Sequence, residues 1–348
     1  MPTIDIHPID LKQASRTEYT ALNHHINRIR AERLPDDPPI PLEEFIQNFQ
    51  NLPPFVDVQA WIAWSTSDEI VAFGDVALLR MDENRHMAQF DIGVLPEFRR
   101  QGLGRQLLRR VVETARADER RLLITETVDR IPGGEAFMQR LGARKGLEAH
   151  VNQLRIESLD HNLLQKWINR ARDRAAGFEI GLWDGPYPEE HIAAVAQLFD
   201  LTNQQPLGDL EIEDMHATPE QLRQIEQNLF ARGSQRWTFY VVETATGKFA
   251  GYTETVWNPN RPEILRQDMT GVFPEFRNKG LGRWLKATML AKVIKDRPEV
   301  KYIRTQNADS NAAMLKINTE LGFQPYMANA LWQVEVERVL EYLGMAGN

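Results

Sequence analysis

The 348-residue sequence contains no cysteine. That absence removes disulfide frameworks, thiolate zinc sites, iron–sulfur clusters and cysteine nucleophiles together. A basic excess is missing too: 41 lysines and arginines against 49 aspartates and glutamates leave a formal charge of −8. No global attraction to nucleic acid or to anionic lipid is therefore expected. Long apolar runs are lacking, since the stretch from Val71 to Leu79 is broken by Asp75 and is far too short to span a bilayer. The start, MPTIDIHPIDL, has no basic segment followed by an apolar core, so no secretory signal and a cytoplasmic location are expected. The eight histidines show no metal-ligand spacing, and the adjacent His24 and His25 would point apart on a helix. No metal is expected. What is present is ordinary globular composition, 42% hydrophobic and 26% charged, at a length that suits about two domains.

The strongest internal signal is a repeat. Residues 94–107 read VLPEFRRQGLGRQL and residues 272–285 read VFPEFRNKGLGRWL, identical at ten of fourteen positions with an offset of 272 − 94 = 178. So large an offset implies a duplicated domain and not a solenoid unit. Ser158 followed by Leu159, Leu163, Leu164, Trp167, Ile168 and Ala171 predicts a serine-capped helix ending near Gly177, with a fresh domain starting at FEIGLWDG. The expected domains are 1–177 and 178–348. Residues 34–54, proline-rich at both ends, predict a loop framing a short helix.

Each half shows the same coarse order. Strands are predicted over 56–64, 69–80, 87–95 and 122–127, and again over 236–243, 248–257, 265–273 and 302–306. In both halves a glycine turn and a helix precede the last of these strands. The implied architecture is α/β, a mixed and mostly antiparallel sheet flanked by helices, occurring twice.

The glycine turns share Arg-x-x-Gly-x-Gly between a strand and a helix: Arg99, Gly102 and Gly104, then Arg277, Gly280 and Gly282. A helix start offers unpaired N–H groups and the positive end of the helix dipole, and glycine lets backbone approach a bulky anion. With Arg100, Arg105, Lys279 and Arg283 alongside, each turn is a cradle for a diphosphate. A third spaced glycine and a ribose-binding acid would mark a dinucleotide fold, and Gly-Lys-Ser/Thr a Walker loop; neither pattern occurs.

The full repeated string resembles the GNAT superfamily of acyl-CoA-dependent N-acyltransferases, and the resemblance covers nearly the whole chain as a tandem of two domains. It implies acetyl-CoA as cofactor, held at its pyrophosphate by the glycine turn, with the pantetheine arm lying between two splayed central strands. The stretch RTQNADSNAAMLKINTELGF at 304–323 resembles a late family motif, with Asn311, Leu321, Gly322 and Phe323 in place. The resemblance assigns Asn307 and Asn311 to coenzyme binding, with helix capping as the alternative reading of each. Asn318 stands where the family often carries a tyrosine acid. An amide cannot serve as that acid, so water or Tyr326 would protonate the thiolate. In the first half Ile131, Pro132 and Gly133 lie near the place of the asparagine. The first domain is accordingly expected to be a scaffold that keeps a coenzyme cradle, and the second to be catalytic.

Acyl transfer needs an unprotonated amine, whereas a free alkyl amine has a pKa near ~10.4. Glu254, on the strand GYTETVW, is the first candidate base, with a solvent-facing strand carboxylate as the alternative; Asp268 is the second. The oxyanion would be held by backbone N–H near Val272. The acidic segment 203–222, with Asp209, Glu211, Glu213 and Asp214, suits a cationic acceptor such as a polyamine, an amino sugar or a lysine-like amine. Its other reading is a solvated loop leading into a helix capped by Thr218, with Pro219 and Glu220 in the first turn. The leading expectation is an acetyl-CoA-dependent N-acetyltransferase acting on a small-molecule amine, as a monomer or homodimer, with no nucleic-acid or membrane partner. The alternatives are mycothiol synthase-like acylation of an amino-sugar thiol precursor, which tandem domains of this kind also resemble, and a non-catalytic acyl-CoA sensor.

Overall fold

A computed structural model describes residues 4–65 and 69–345. Residues 1–3 of the start read above, and 346–348 of the expected second domain, lie outside them. The chain runs β1 (Ile6–Ile9), α1 (Arg16–Arg33), α2 (Leu42–Gln50), β2 (Val56–Trp64), β3 (Ile70–Leu79), β4 (Met87–Val94), α3 (Leu103–Ala117), β5 (Leu122–Val128), α4 (Pro132–Leu141) and β6 (Arg144–Arg155). It continues through α5 (His161–Arg174), β7 (Phe178–Asp184), α6 (Ile192–Phe199), α7 (Pro219–Ala231), β8 (Gln235–Glu243) and β9 (Phe249–Trp257). The last elements are β10 (Ile264–Val272), α8 (Leu281–Asp296), β11 (Tyr302–Ala308), α9 (Ala312–Leu321), β12 (Gln324–Glu335) and α10 (Val336–Leu343).

Two compact units result, and they do not follow the chain linearly. Unit 1 holds the chain up to Glu148, the short segment Leu207–Glu213, and everything from Ala328 onward; unit 2 holds Ala149–Pro206 and Asp214–Met327. The division read from the sequence at residue 177 is linear, and it puts residues 149–177, 207–213 and 328–345 with the other half. The physical reason is an exchange of last strands. In unit 1, β5 pairs antiparallel with β12, Val128 opposite Asn329 through Leu122 opposite Glu335. In unit 2, β11 pairs antiparallel with β6, Tyr302 opposite Arg155 through Ala308 opposite Ala149. The sequence reading assigned no strand to 144–155 or 324–335.

Unit 1 orders its strands β1-β2-β3-β4-β5-β12, all antiparallel neighbours except the parallel pair β4 and β5. One face buries the α3 stripe of Leu103, Leu107, Leu108, Val111 and Val112 against Val76, Phe90 and Leu123, together with Trp332 and Val334 of β12 and Val339 and Leu340 of α10. The other face packs Tyr19 and Leu22 of α1 and Phe45 and Ile46 of α2 on Ile62, Ile70 and Phe73. The helix expected between the prolines of 34–54 is α2. Helix α1 starts in a capping box, Ser15 and Glu18 each bonding the other's backbone N–H.

Unit 2 repeats the plan as β7-β8-β9-β10-β11-β6, with β10 and β11 the parallel pair. Its main core joins α5 and α8 to the sheet through Trp167, Trp237, Val241, Leu265, Leu281, Leu285, Leu290, Ile303 and Phe323. A second cluster places Trp183, Tyr187, Ile192, Leu198, Leu222 and Tyr252 under α6 and α7. Helix α5 is capped by Asp160, which accepts from the N–H of Asn162 at 2.9 Å and of Leu163 at 3.2 Å. Ser158, the residue expected to cap it, instead donates its hydroxyl to the Arg155 carbonyl at 2.8 Å.

Candidate active site

In unit 2 the sheet opens where its two parallel strands meet. β10 and β11 are paired from Ile264 opposite Tyr302 to Arg266 opposite Arg304, and no further. Past that point each strand keeps only its antiparallel partner on the far side, β9 for β10 and β6 for β11. Two facing strand edges are left with unpaired N–H and C=O groups, a shape that accepts an extended amide-bearing chain. A register shift between Gln267 and Thr270 lies on this stretch of β10, and such a bulge re-aims side chains locally.

β10 leads directly into the glycine turn. Asn278 and Gly280 both take left-handed backbone, φ 65° and 85°, so successive N–H groups turn inward as in an anion-binding nest. Gly280 is the N-cap of α8 with no side-chain cap bond, and a Cβ there would meet nothing within 4 Å. The first intrahelical bond runs from Trp284 N–H to the Gly280 carbonyl, 3.1 Å, leaving the N–H groups of Leu281, Gly282 and Arg283 without helical acceptors. Arg277 is spent on the turn itself: Nε donates to the Val272 carbonyl at 3.0 Å and the guanidinium also reaches Gln204. Lys279 Nζ lies 4.7 Å from the Phe178 ring centroid. Arg283 forks onto Glu320 at 2.9 and 3.1 Å. The cradle is thus chiefly backbone and helix dipole, which fits a pyrophosphate.

Glu254 on β9 sits in a buried polar cluster. Its Oε2 accepts from the Tyr187 hydroxyl at 2.6 Å and the Thr238 hydroxyl at 2.8 Å, with Arg236 Nε 3.6 Å away. Arg236 stacks 3.6 Å from the Tyr187 ring centroid and pairs with the buried Glu226. Burial pushes the Glu254 carboxyl above the ordinary carboxylate range, against the opposing pull of Arg236. Both hydrogen bonds land on Oε2, so Oε1 is the oxygen left to take a proton. Asp268, on the bulge, is held by Arg266 at 2.6 and 2.8 Å.

The asparagines divide between two tasks. Asn311 caps α9, its Oδ1 accepting from Met314 N–H at 3.2 Å. Asn307 and Asn318 belong to a buried chain instead. Asn318 Nδ2 donates to Asn307 Oδ1 at 2.7 Å, Asn152 Nδ2 reaches the same oxygen at 3.4 Å, and Lys286 Nζ donates to Asn318 Oδ1 at 2.5 Å.

Residues 22–143 match the model of the Acetyltransferase (GNAT) family. A tandem GNAT protein from the clavulanic acid biosynthesis pathway superposes with a TM-score of 0.76 at 25% identity, covering 96% of this chain and 99% of that one. Over nearly its whole length the chain is similar to a tandem GNAT protein. The GCN5-related N-acetyltransferase of Sphaerobacter thermophilus has the same fold, with a TM-score of 0.64 at 14% identity, covering 96% of this chain and 97% of that one. A GCN5-related glucosamine N-acetyltransferase region of a fungal multi-domain β-N-acetylglucosaminidase shares it too, with a TM-score of 0.63 at 12% identity, covering 96% of this chain and 38% of that one. No curated protein matches the sequence.

Unit 1 repeats the site closely. β4 and β5 pair only from Met87 opposite Leu122 to Gln89 opposite Ile124. Arg100 and Gly102 take φ 64° and 90°, Arg99 Nε donates to the Val94 carbonyl at 2.9 Å, and Glu32 receives its fork at 2.5 and 2.7 Å. A Cβ at Gly104 meets nothing within 4 Å. Register also exposes a pair of carboxylates that sequence reasoning missed. Ala72 faces Val94 as Gly251 faces Val272, so Asp75 stands at the position of Glu254. Opposite it is Asp91, where unit 2 has the bulge residues Asp268 and Met269. Burial raises the Asp75 carboxyl to about 8, and Asp91 pushes it the same way.

The acidic segment is divided between the units, and two of its four acids are engaged. Glu211 pairs with Arg121 at 2.7 Å and Arg144 at 2.9 Å, while Glu213 accepts from the Asn84 N–H at 2.6 Å, all within unit 1. Thr218 caps α7 in a capping box with Gln221, as one reading of that stretch expected. Among the described residues no group of three or more His, Asp or Glu is placed to hold a metal ion. No described helix is long and apolar enough to cross a membrane.

Proposed function

We propose that the chain transfers an acetyl group from acetyl-CoA to a primary amine of a small molecule, with unit 2 carrying the chemistry. The observation that carries this reading is the buried Glu254 on β9, beside the strand opening that runs into the α8 cradle. Acetyl-CoA, when bound, supplies the activated thioester. The nest around Asn278 and Gly280 and the α8 amides would hold its diphosphate, and the free edges of β10 and β11 would orient its amide-bearing arm. A raised pKa lets Glu254 Oε1 accept a proton from an ammonium acceptor near neutral pH, since the gap between the two pKa values narrows. Its anionic form also attracts the cation before the proton moves. Asp268, neutralised by Arg266, is the weaker choice for that role.

A second reading gives unit 1 chemistry of its own, favoured by Asp75 at the register position of Glu254. With a carboxyl near 8, Asp75 is protonated at pH 7 and becomes a base only as the pH rises through that value, so any turnover there should climb between pH 7 and 9. Calorimetric titration of acetyl-CoA into the protein and its Gly102→Glu and Gly280→Glu variants separates the readings. A carboxylate at either cradle adds bulk and like charge, and binding at that unit should be lost. The expected result is turnover abolished by Gly280→Glu and kept in Gly102→Glu across an amine panel. Equal loss from both, with folding intact, removes the one-active-unit reading. Acetyl-CoA binding with no thiol released from any amine would make the protein a sensor. Glu254→Gln should lower kcat by about 10²–10⁴-fold; an unchanged rate and pH profile would exclude it as the base.

A further inference from the structure

Lys286 is a buried amine that no part of the proposed function uses. It is 1% exposed, in the second turn of α8, the same helix whose first turn forms the cradle. It lies five positions beyond Leu281, about 7.5 Å along the helix axis. Its Nζ donates to Asn318 on α9 at 2.5 Å and lies 5.3 Å from the Phe323 ring centroid. Among the described residues no carboxylate pairs with it. From Asn318 the chain of bonds continues to Asn307, on the segment of β11 that has lost β10 as a neighbour.

The duplicated unit shows that the fold does not need this chain. The 178-residue offset of the glycine turns puts Leu108 at the position of Lys286. Helices α4 and α9 end at Leu141 and Leu321, so an offset of 180 puts Met138 at the position of Asn318. Leu108 and Met138 share one apolar core. Thr125 opposite Trp332 matches Thr305 opposite Asn152, which sets Thr127 and Trp332 at the positions of Asn307 and Asn152. Where unit 1 has two apolar core residues, unit 2 has an ammonium–amide pair, at the cost of desolvating an amine. Burial alone lowers the lysine's pKa to about 7, within the range where it exchanges a proton at neutral pH.

Resting on the transfer reading above, we infer that Lys286, oriented by Asn318, holds the proton delivered to the departing coenzyme sulfur. The new bond joins the amine nitrogen to the acetyl carbon while the carbon–sulfur bond breaks, and its electron pair leaves on sulfur. Nζ–H gives its proton to that sulfur, leaving a neutral lysine. An ammonium acceptor gives up two protons on becoming an amide: Glu254 takes the first before attack and passes it to solvent, then takes the second as the amide forms. One proton is returned to Lys286 when the thiol departs, so ammonium plus thioester gives amide, thiol and one released proton.

The test is the double variant K286L/N318M, which copies the unit 1 pair and keeps the core packed. It should melt at or above the wild-type temperature, bind acetyl-CoA with unchanged calorimetric Kd, and lose about 10²–10⁴-fold in kcat. K286L/N318Y should regain part of the turnover with its alkaline limb moved upward, toward the tyrosine range near ~10. NMR titration of the lysine side chains in the protein without coenzyme should find one midpoint near neutrality that is missing in the double variant. Wild-type turnover by K286L/N318M, or a Lys286 titrating as an ordinary lysine, overturns the inference alone. A wild type that binds acetyl-CoA yet releases no thiol from any amine overturns the transfer reading and this one with it.

Discussion

Two buried cations of unit 2 differ in what they leave behind when removed. Arg236 is paired with Glu226, stacked on Tyr187 and close to Glu254. Arg236→Met takes a cation from two interior carboxylates, but Glu226 keeps Arg223 at 2.6 Å and Glu254 keeps the Tyr187 and Thr238 hydroxyls, so a loss of roughly 1.5–3 kcal/mol is expected by denaturant unfolding. Lys286 has no such partner. Its folded pKa of about 7 lies below the ordinary lysine value of 10.5, so between those values the unfolded chain binds the extra proton and stability rises with pH. K286L/N318M should remove that rise, gaining on the order of a few kcal/mol below pH 7 and nothing above pH 10.5. Melts from pH 6 to 10 measure the slope directly. In the sequence this lysine is hidden because it adjoins Leu285 but falls outside the helical apolar spacing of Leu281, Leu285, Met289 and Val293. The signal that finds it is the repeat, which sets it over an apolar Leu108.

At the scale of elements, the glycine turns were legible because one string must satisfy several demands at once: a strand end, two left-handed residues and an uncapped helix start. The central strands were legible from their β-branched and aromatic content. Strand partners were not. The sequences of β6 and β12 occupy equivalent places in the two halves, each following a helix that ends Leu-Gly, and neither carries a mark of which β-edge it joins. Pairing of this kind is decided by loop paths and packing, which local pattern does not encode. The same limit concealed Asp75 and Asp91, whose pairing depends on the register between β3 and β4. The exchange makes a checkable prediction. A chain stopped at Met327 loses Trp332, Val334, Val336, Val339, Leu340 and Leu343 from the core of unit 1. Six buried side chains at ~1.5–3 kcal/mol each sum to the order of 10 kcal/mol, comparable to a whole domain's stability. Hydrogen exchange should then show protection lost over 122–128, far from the cut in sequence, while the core of unit 2 stays protected.

For the whole molecule, duplication has produced two units with the same cradle, the same strand opening and a carboxylate at the same register position, differing in the polar chain behind the opening. Unit 2 has the lysine and three asparagines; unit 1 fills those positions with leucine, methionine, threonine and tryptophan. That difference, more than the cradles, is where the two should part in chemistry. The exchanged strands also set an order of assembly. Every residue of unit 2 has been made once Met327 is added, whereas unit 1 waits for β12 and α10. The half that leaves the ribosome first is the last to be finished. After Glu148, 335 − 148 = 187 further residues are added up to and including Glu335, about 10–40 s of synthesis at ~5–20 residues per second. For that interval the edge of β5 and the underside of α3 are without their covering strand and helix, and the nascent N-terminal half is a natural client for chaperones that hold unfinished sheets.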